Sequence, residues 1–513
     1  MKLDKLFICQ AFFLYRNRKS EMKMEQTQLP NWLKKRAEVT PNRIALIVRD
    51  ESYTFGQLYA YSLEYSRKFN QFGIRKGNKV GLLLSNRFEM VVAIHAIMNI
   101  GGELILFNTR LSSNELSWQF QDSELDFLLS EEKYGDMIQE MNSAKVIFVE
   151  NVPSLLENDE FVAVEEFTLN QTATIMYTSG TSGFPKAVEQ SYGNHWYSAV
   201  GSMLNLGLQE NDRWLCTMPL FHISGLSIIL RGVIYGMTVI LHEQFQEERV
   251  NRDIVKYEVT IVSVVTTMLN RLLEQMKEKE YPSSLRCMLL GGGPAPLPLL
   301  EKCREKGIPV YQTYGMTETA SQIVTLSPEY SIEKLGSAGK ALFSAQIMIH
   351  YDGREAKANE IGEILVKGPN VTKGYRNRKT ETELAFENGW FKTGDMGYLD
   401  EEGFLYVVDR RSDLIISGGE NIYPAEIEAI LMKHEAVFEA GVTGCADDKW
   451  GEVPVAFAVL QNNVLEKDEL INFCKKYLAS YKVPRDIYFV EELPRNSANK
   501  LLRRDLKKLI RKD

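Results

Sequence analysis

Tyr177-Thr178-Ser179-Gly180-Thr181-Ser182-Gly183-Phe184-Pro185-Lys186 is a run of hydroxyls and glycines that follows an apolar stretch and ends on a cation. Small residues let backbone N–H groups approach a phosphate, the hydroxyls of Thr178, Ser179, Thr181 and Ser182 can donate to it, and Lys186 adds a mobile positive charge. The spacing departs from the G-x-x-x-x-G-K-[ST] loop, because Lys186 follows Phe184-Pro185 and precedes Ala187, which cannot ligate a metal. An ordinary P-loop NTPase is therefore disfavoured. Composition alone leaves a plain Ser/Gly/Thr-rich loop as the alternative to a polyphosphate cradle.

Outward from this run, the 513-residue chain is too long for one compact core. A hydrophobic content of 44%, a charged content of 25% and a net charge of -8 describe a folded protein with no general affinity for nucleic acid. The cysteines Cys9, Cys216, Cys287, Cys303, Cys445 and Cys474 show no C-x-x-C spacing, which argues against a zinc site or disulfide framework and fits a reducing cytoplasm. Near the start, the apolar segment from Leu6 to Tyr15 is broken by Gln10, and Arg16-Asn17-Arg18-Lys19 follows it instead of a cleavage site. Residues 1–24 therefore read as a dispensable extension. No stretch is long and apolar enough to predict a membrane span.

Short apolar runs alternate with amphipathic stretches from Leu29 onward: Lys79 to Leu84 predicts a buried strand and Glu89 to Ile100 a helix. The pattern recurs at Val239 to Leu241, Val259 to Val265 and Arg286 to Leu290, and predicts an α/β fold with β-sheets and packed helices. After Phe404 to Val408 the texture changes. A charged turn, Asp409 to Asp413, precedes a Gly-rich segment, a helix from Ala425 to Met432, a strand from Val453 to Leu460 and a helix from Leu465 to Leu478. The expected division is a large domain of several subdomains, 25–411, and a small mobile α+β domain, 412–513, hinged at Ser412.

Further clusters carry candidate chemistry. Following a predicted strand from Ile308 to Val310, Tyr314-Gly315-Met316-Thr317-Glu318 sets a hydroxyl beside a carboxylate, suited to a phosphate oxygen and to Mg2+; a helix N-cap is the plainer reading. Gly291-Gly292-Gly293-Pro294 lets backbone lie flat against a ligand. Thr393-Gly394-Asp395 reads as an Asx turn or a ribose-binding carboxylate. Arg410 sits at the domain boundary. Lys500, in Pro494 to Lys500, precedes a basic helix from Leu501 to Lys512 and could reach a transferring group, although a solvated lysine is the commoner outcome.

Taken in order, these motifs together with Asp409 to Pro424 resemble the adenylate-forming superfamily of acyl-CoA synthetases, non-ribosomal adenylation domains and firefly-type luciferases, over essentially Leu29 to Lys508. The resemblance implies that a carboxylate attacks the α-phosphate of ATP, giving an acyl-adenylate and pyrophosphate, and that the thiol of coenzyme A then displaces AMP. It assigns Thr178 to Lys186 to the β- and γ-phosphates, Thr317 to the α-phosphate, Glu318 to Mg2+ and Asp395 and Arg410 to the ribose. Gly291 to Pro294, with Tyr314 and Gly315, would flank the adenine. Lys500 would neutralise charge developing at the α-phosphate, and rotation about Ser412 would later bring Gly418-Gly419-Glu420 beside the thiol's path. Ser412, often Asp or Lys in the family, and Asn499, often Gly, depart from the pattern. Pro219 to Gly225 matches the acyl-pocket region. Thr317 to Gln322 and Ser412 to Glu428 resemble the branch acting on 2-succinylbenzoate in menaquinone biosynthesis, with His222, Ser321 and Gln322 facing the acid. An aryl- or medium-chain fatty acyl-CoA ligase, a carrier-protein-loading enzyme and a non-catalytic binding protein are the alternatives. Small molecules are the expected partners, with homo-oligomerisation left open.

Overall fold

The computed structural model describes residues 27–138, 144–178, 185–277, 279–292, 295, 297–409, 415–461, 465–494 and 503–510. Two large sheets form the body of the N-terminal domain. The first is ordered Gly374–Tyr375, Lys186–Ser191, Thr172–Thr178, Glu103–Leu106, Lys79–Leu83, Phe127–Ser130, Lys145–Phe148, and is parallel from Thr172–Thr178 onward. The helix Phe88–Ile100 that covers it is apolar almost all round and buried from Met90 to Ile100, as its sequence required. It stops at Gly101, whose φ of 80° is the left-handed cap that glycine supplies without strain.

The second sheet begins parallel, running through Ile44–Val48, Thr238–Leu241, Arg213–Cys216, Ile261–Val265, Cys287–Gly291 and Val310–Met316. Beyond Val310–Met316 the pairing becomes antiparallel, through Ser321–Leu326, Ser337–Ala341, Leu405–Asp409 and Trp390–Leu399. Two local expectations change here. The strand predicted to end at Val310 continues to Met316, so Tyr314 and Gly315 are strand residues and only Thr317–Thr319 forms a turn. Asp395 likewise lies inside the strand Trp390–Leu399. Gly394, with φ of 74°, gives that strand a local twist which its sequence presents as a turn.

At Ile415 the chain enters a different sheet, in the order Glu420–Ile422, Ile415–Ser417, Gly451–Leu460, Val437–Asp447, with Asp486–Phe489 parallel to Gly451–Leu460. Helices Pro424–Leu431 and Lys467–Tyr477 pack their buried Ile427, Leu431, Leu470 and Cys474 against it, giving the smaller α+β domain its own core. The basic helix expected from Leu501 is, among the described residues, a single α-turn Arg503–Leu506 continued by a 3-10 turn Lys507–Leu509. The Arg503 guanidinium is drawn onto Glu428 at 2.6 Å, so this segment is tied down by an ion pair more than by helical periodicity.

Candidate functional site

A cleft of about 1300 Å³ runs between the two domains, and a narrower pocket of about 190 Å³ opens from it. Both are walled by Phe221, His222, Met316, Thr317 and Glu420, so they are two ends of one site.

The narrow end gathers the phosphate and ribose candidates. Lys186 opens a strand whose antiparallel partner sets Thr178 directly opposite it, so pairing pins both ends of the Ser/Gly/Thr run together. The Lys186 ammonium lies 5.0 Å from the centre of the Tyr375 ring, and the Tyr375 phenol donates to Glu318 Oε1 at 3.2 Å. The Thr317–Thr319 turn is fixed through its backbone: Gln190 Nε2 donates to the Thr317 carbonyl at 2.6 Å and Thr372 N to the Glu318 carbonyl at 2.7 Å. Thr317 and Glu318 thereby line the pocket with Lys186 and Thr178. Among the described residues no cluster of three or more His, Cys, Asp or Glu could enclose a metal by itself. One carboxylate beside a phosphate site suits Mg2+, which keeps waters and takes much of its coordination from phosphate oxygens. Asp395 is buried and accepts a 2.7 Å hydrogen bond from the Tyr314 phenol, while its own N–H donates to Thr393 Oγ1. A carboxylate oriented this way, on a strand instead of a loop, has the acceptor character that a ribose diol needs.

The wide end holds Gly291, Gly292, Gly315, Ser321 and Gln322. Gly315 is obligatory, since a Cβ there would lie 2.2 Å from the Ser321 carbonyl oxygen. Ser321 has φ of 106°, a conformation rare for a residue with a side chain, and its hydroxyl faces Ser227 Oγ at 3.5 Å. Gln322 Oε1 is buried with no hydrogen-bond partner among the described residues. His222 stands at the N-cap position of the helix Ile223–Tyr235 with its side chain free of capping, and two turns along that helix stands Arg231, which sequence reasoning missed. Arg231 is only 2% exposed and lines the cleft. Its Nη2 donates to Ser198 Oγ at 3.1 Å and its guanidinium lies 5.8 Å from the Trp214 ring, yet Nε has no hydrogen-bond partner among the described residues. Burial pushes its pKa down. A buried guanidinium with no carboxylate against it among the described residues has the chemistry to pair with an anion. The available signal was a lone cation in the otherwise uncharged run Ile223 to Tyr235.

The small domain closes the wall between the two ends. Gly418 and Gly419, with φ of 56° and 87°, make the two-residue turn between Ile415–Ser417 and Glu420–Ile422. Gly418 N donates to the Trp450 carbonyl, and a Cβ on Gly418 would lie 2.7 Å from the Trp450 ring. The turn delivers Glu420 into the large domain, where Oε2 lies 3.1 Å from His222 Nε2 and 3.2 Å from Asn108 Nδ2, and Oε1 pairs with Arg110. Burial alone would push this carboxyl up, but His222, Arg110 and Asn108 hold it down to about 2. Asn108 and Arg110 are further residues that the sequence reading did not single out. Ser179, Gly180, Thr181, Ser182, Gly183, Gly293, Pro294, Arg410, Ser412 and Lys500 lie outside the described residues.

The chain matches the AMP-binding enzyme family over residues 33–376 and the AMP-binding enzyme C-terminal domain over residues 426–500. It is 55% identical to the 2-succinylbenzoate–CoA ligase of Geobacillus kaustophilus, over 95% of this chain and 99% of that protein. A double mutant of the o-succinylbenzoate CoA synthetase of Bacillus subtilis, bound to the product analogue OSB-NCoA, superposes with a TM-score of 0.90 at 53% identity, covering 94% of this chain and 99% of that one. The same enzyme in complex with ATP and magnesium ion gives 0.75 at 53% identity, covering 94% and 100%. Sequence similarity is equal in the two cases, so the difference is one of shape. The chain belongs to the AMP-binding enzyme family and is a relative of the 2-succinylbenzoate–CoA ligases within it.

Proposed function

We propose that this protein is an AMP-forming acid–thiol ligase that converts 2-succinylbenzoate to its coenzyme A thioester, using ATP with Mg2+. The observation that carries the reading is the single cleft joining the Lys186, Glu318 and Asp395 end to the buried Arg231 end, with Glu420 and His222 between them. 2-Succinylbenzoate is a dianion. One carboxylate must reach the α-phosphate and the other must be buried with the rest of the molecule, and Arg231 supplies the counter-charge at the far end.

In the first half-reaction a carboxylate oxygen attacks the α-phosphorus, the bond to the β-phosphate's bridging oxygen breaks, and pyrophosphate leaves. The run from Thr178 to Lys186 holds the β- and γ-phosphates, Thr317 meets the α-phosphate, and Asp395 with Arg410 binds the ribose diol. Gly291 to Pro294 and Tyr314 flank the adenine. The Glu318 carboxylate would hold Mg2+, which would supply charge neutralisation to the phosphates. Lys500 stabilises the charge that develops at the α-phosphate, a contribution realised chiefly in the transition state. In the second half-reaction the CoA sulfur attacks the acyl carbon, the mixed-anhydride C–O bond breaks, and AMP departs with the electron pair. The docked Gly418-Gly419-Glu420 turn supports assignment of the present arrangement to this second step, and so does the higher TM-score with the enzyme carrying a CoA product analogue. Alternation about Ser412 lets one cleft serve two steps with opposite needs.

Among the described residues no helix is long and apolar enough to cross a membrane. The free, buried Cys216, Cys287, Cys303 and Cys474 support a cytoplasmic setting. A medium-chain fatty acid is disfavoured, because its alkyl tail would meet the Arg231 guanidinium with no charge to offer. Turnover of a panel of acids with ATP, Mg2+ and CoA tests the proposal: 2-succinylbenzoate should be the preferred substrate, and efficient turnover of benzoate or octanoate without it would overturn the reading.

A further inference from the structure

Ser112-Ser113-Asn114-Glu115 has the S-x-x-E pattern of a helix capping box, and it begins the helix Ser113–Ser123 of the large domain. Ser112 N donates to Glu115 Oε2 at 2.8 Å and Glu115 N to Ser112 Oγ at 3.4 Å, so one carboxylate oxygen serves the local helix. The other serves the opposite domain. Lys482 Nζ donates to Glu115 Oε1 at 2.6 Å and to Glu426 Oε1, on the small domain's own helix Pro424–Leu431, at 2.8 Å. The three side chains are 6%, 10% and 9% exposed for Lys482, Glu115 and Glu426. Lys482 lines the narrow end of the site, whereas Glu115 and Glu426 line neither end.

Around it, two helix ends meet. The small-domain helix Lys467–Tyr477 points its last carbonyls at the first turn of Ser113–Ser123, where Asn114 Nδ2 donates to the Lys476 carbonyl at 2.5 Å and Ser112 Oγ lies 3.2 Å from the Tyr477 carbonyl. The negative end of one helix thus faces the positive end of the other, and carbonyls that a helix terminus leaves unpaired are met by side chains of the other domain. Burial pushes the Lys482 pKa down, but Glu426, Tyr481 and Glu115 together raise it, so the ammonium stays charged in the seam. Glu426 belongs to the same domain as Lys482 and can accompany it in any domain arrangement. Glu115 cannot: its contact exists only when the domains are docked as here.

We propose that Glu115 is a positioning residue for the thioester-forming step, in which its second carboxylate oxygen receives the Lys482 ammonium and so holds the small domain where Glu420 meets His222. The inference rests on the two-step reaction proposed above. Glu115→Gln is the discriminating variant in the full-length protein. Glutamine also serves in a capping box, so the helix start survives. It has one oxygen instead of two, however, and no charge, so an amide that caps Ser112 turns its NH2 toward Lys482.

Two half-reactions are measured: ATP–pyrophosphate exchange dependent on the acid, and single-turnover thioester formation when CoA is mixed with preformed acyl-adenylate. E115Q should leave exchange within about twofold of the parent and slow thioester formation by about tenfold or more. In a Lys482→Met background the same substitution should cause no further loss, the mark of a pair acting as a unit. Equal loss in both half-reactions would show general damage to the fold and overturn the proposal, as would an unchanged second half-reaction. Exchange by the parent protein with 2-succinylbenzoate tests the substrate reading separately, and the assays run equally with any other acid that supports exchange. Small-angle scattering with CoA present needs no acid. It should show the docked shape for the parent and a shifted one for E115Q, whereas identical curves would overturn the proposal.

Discussion

The narrow end of the site and the seam between the domains are built on different principles. Lys186, Thr317, Glu318 and Asp395 all come from the large domain and are fixed within it: Lys186 by strand register against Thr178, Asp395 by the Tyr314 phenol, Glu318 by the Tyr375 phenol, and Thr317 by the Gln190 amide on its carbonyl. The arrangement of these four residues is set within the large domain, and Glu420, Asn421, Tyr423, Tyr481 and Lys482 of the small domain complete the pocket wall around them. The seam consists of pairs drawn from both domains, Glu420 with His222 and Arg110, and Lys482 with Glu115. It comes into being only on docking. A preassembled phosphate end and a seam assembled on demand imply that substitutions can damage one half-reaction and spare the other.

The largest effect expected is from Lys500→Ala, which should lower adenylate formation by roughly two to three orders of magnitude while leaving thioester synthesis from preformed acyl-adenylate largely intact, as the paired half-reaction assays would report. Arg231→Met extends the contrast to the acyl end. It should lower kcat/KM for 2-succinylbenzoate by about a hundredfold, because the distal carboxylate would be buried without a partner, and it should not lower turnover of benzoate. Comparable losses for both acids would detach Arg231 from specificity.

Glu420→Gln should slow the thioester step by about tenfold and leave pyrophosphate exchange near the parent rate. Its pH signature has a definite sign. The Glu420 carboxyl is held at about 2 against an ordinary 4.5, so the folded state binds fewer protons than the unfolded state between those values. Its stabilising contribution is complete above pH 4.5 and is lost as pH falls toward 2. The difference in Tm between the parent and E420Q should therefore close as pH falls from about 5 toward 2. The smallest effect belongs to Gly418→Ala, where a φ of 56° and the Trp450 ring oppose a methyl group. A few-fold loss confined to thioester formation is expected.

The same contrast decides what the sequence could reveal. Phosphate-end residues lie in contiguous motifs, and their order along the chain identified the chemistry before any contact was known. The alternation of apolar runs similarly gave the parallel strands Lys79–Leu83, Thr238–Leu241 and Ile261–Val265, because buried parallel strands are almost wholly apolar. Thr-Gly-Asp has turn chemistry, and Asp395 lies in the strand Trp390–Leu399 at an irregularity, where the register with Gly362–Lys367 shifts between Lys392 and Met396 and the Asp395 N–H bonds Thr393 Oγ1. Arg231 gave a weak signal, one charge in an otherwise uncharged helix, whose meaning depends on what the helix borders. The seam was the least legible part. Glu115 and Lys482 are each ordinary in their local sequence, a capping residue and a lysine near a proline, and only the docked domains make them a pair.

The most direct test of this division is to carry Lys500→Ala and Glu420→Gln through both half-reactions side by side. Opposite outcomes are predicted: Lys500→Ala fails in pyrophosphate exchange and retains thioester formation from supplied acyl-adenylate, whereas Glu420→Gln retains exchange and is slowed in thioester formation. Parallel losses by both variants in both assays would contradict a site divided between a fixed phosphate end and a seam formed on docking.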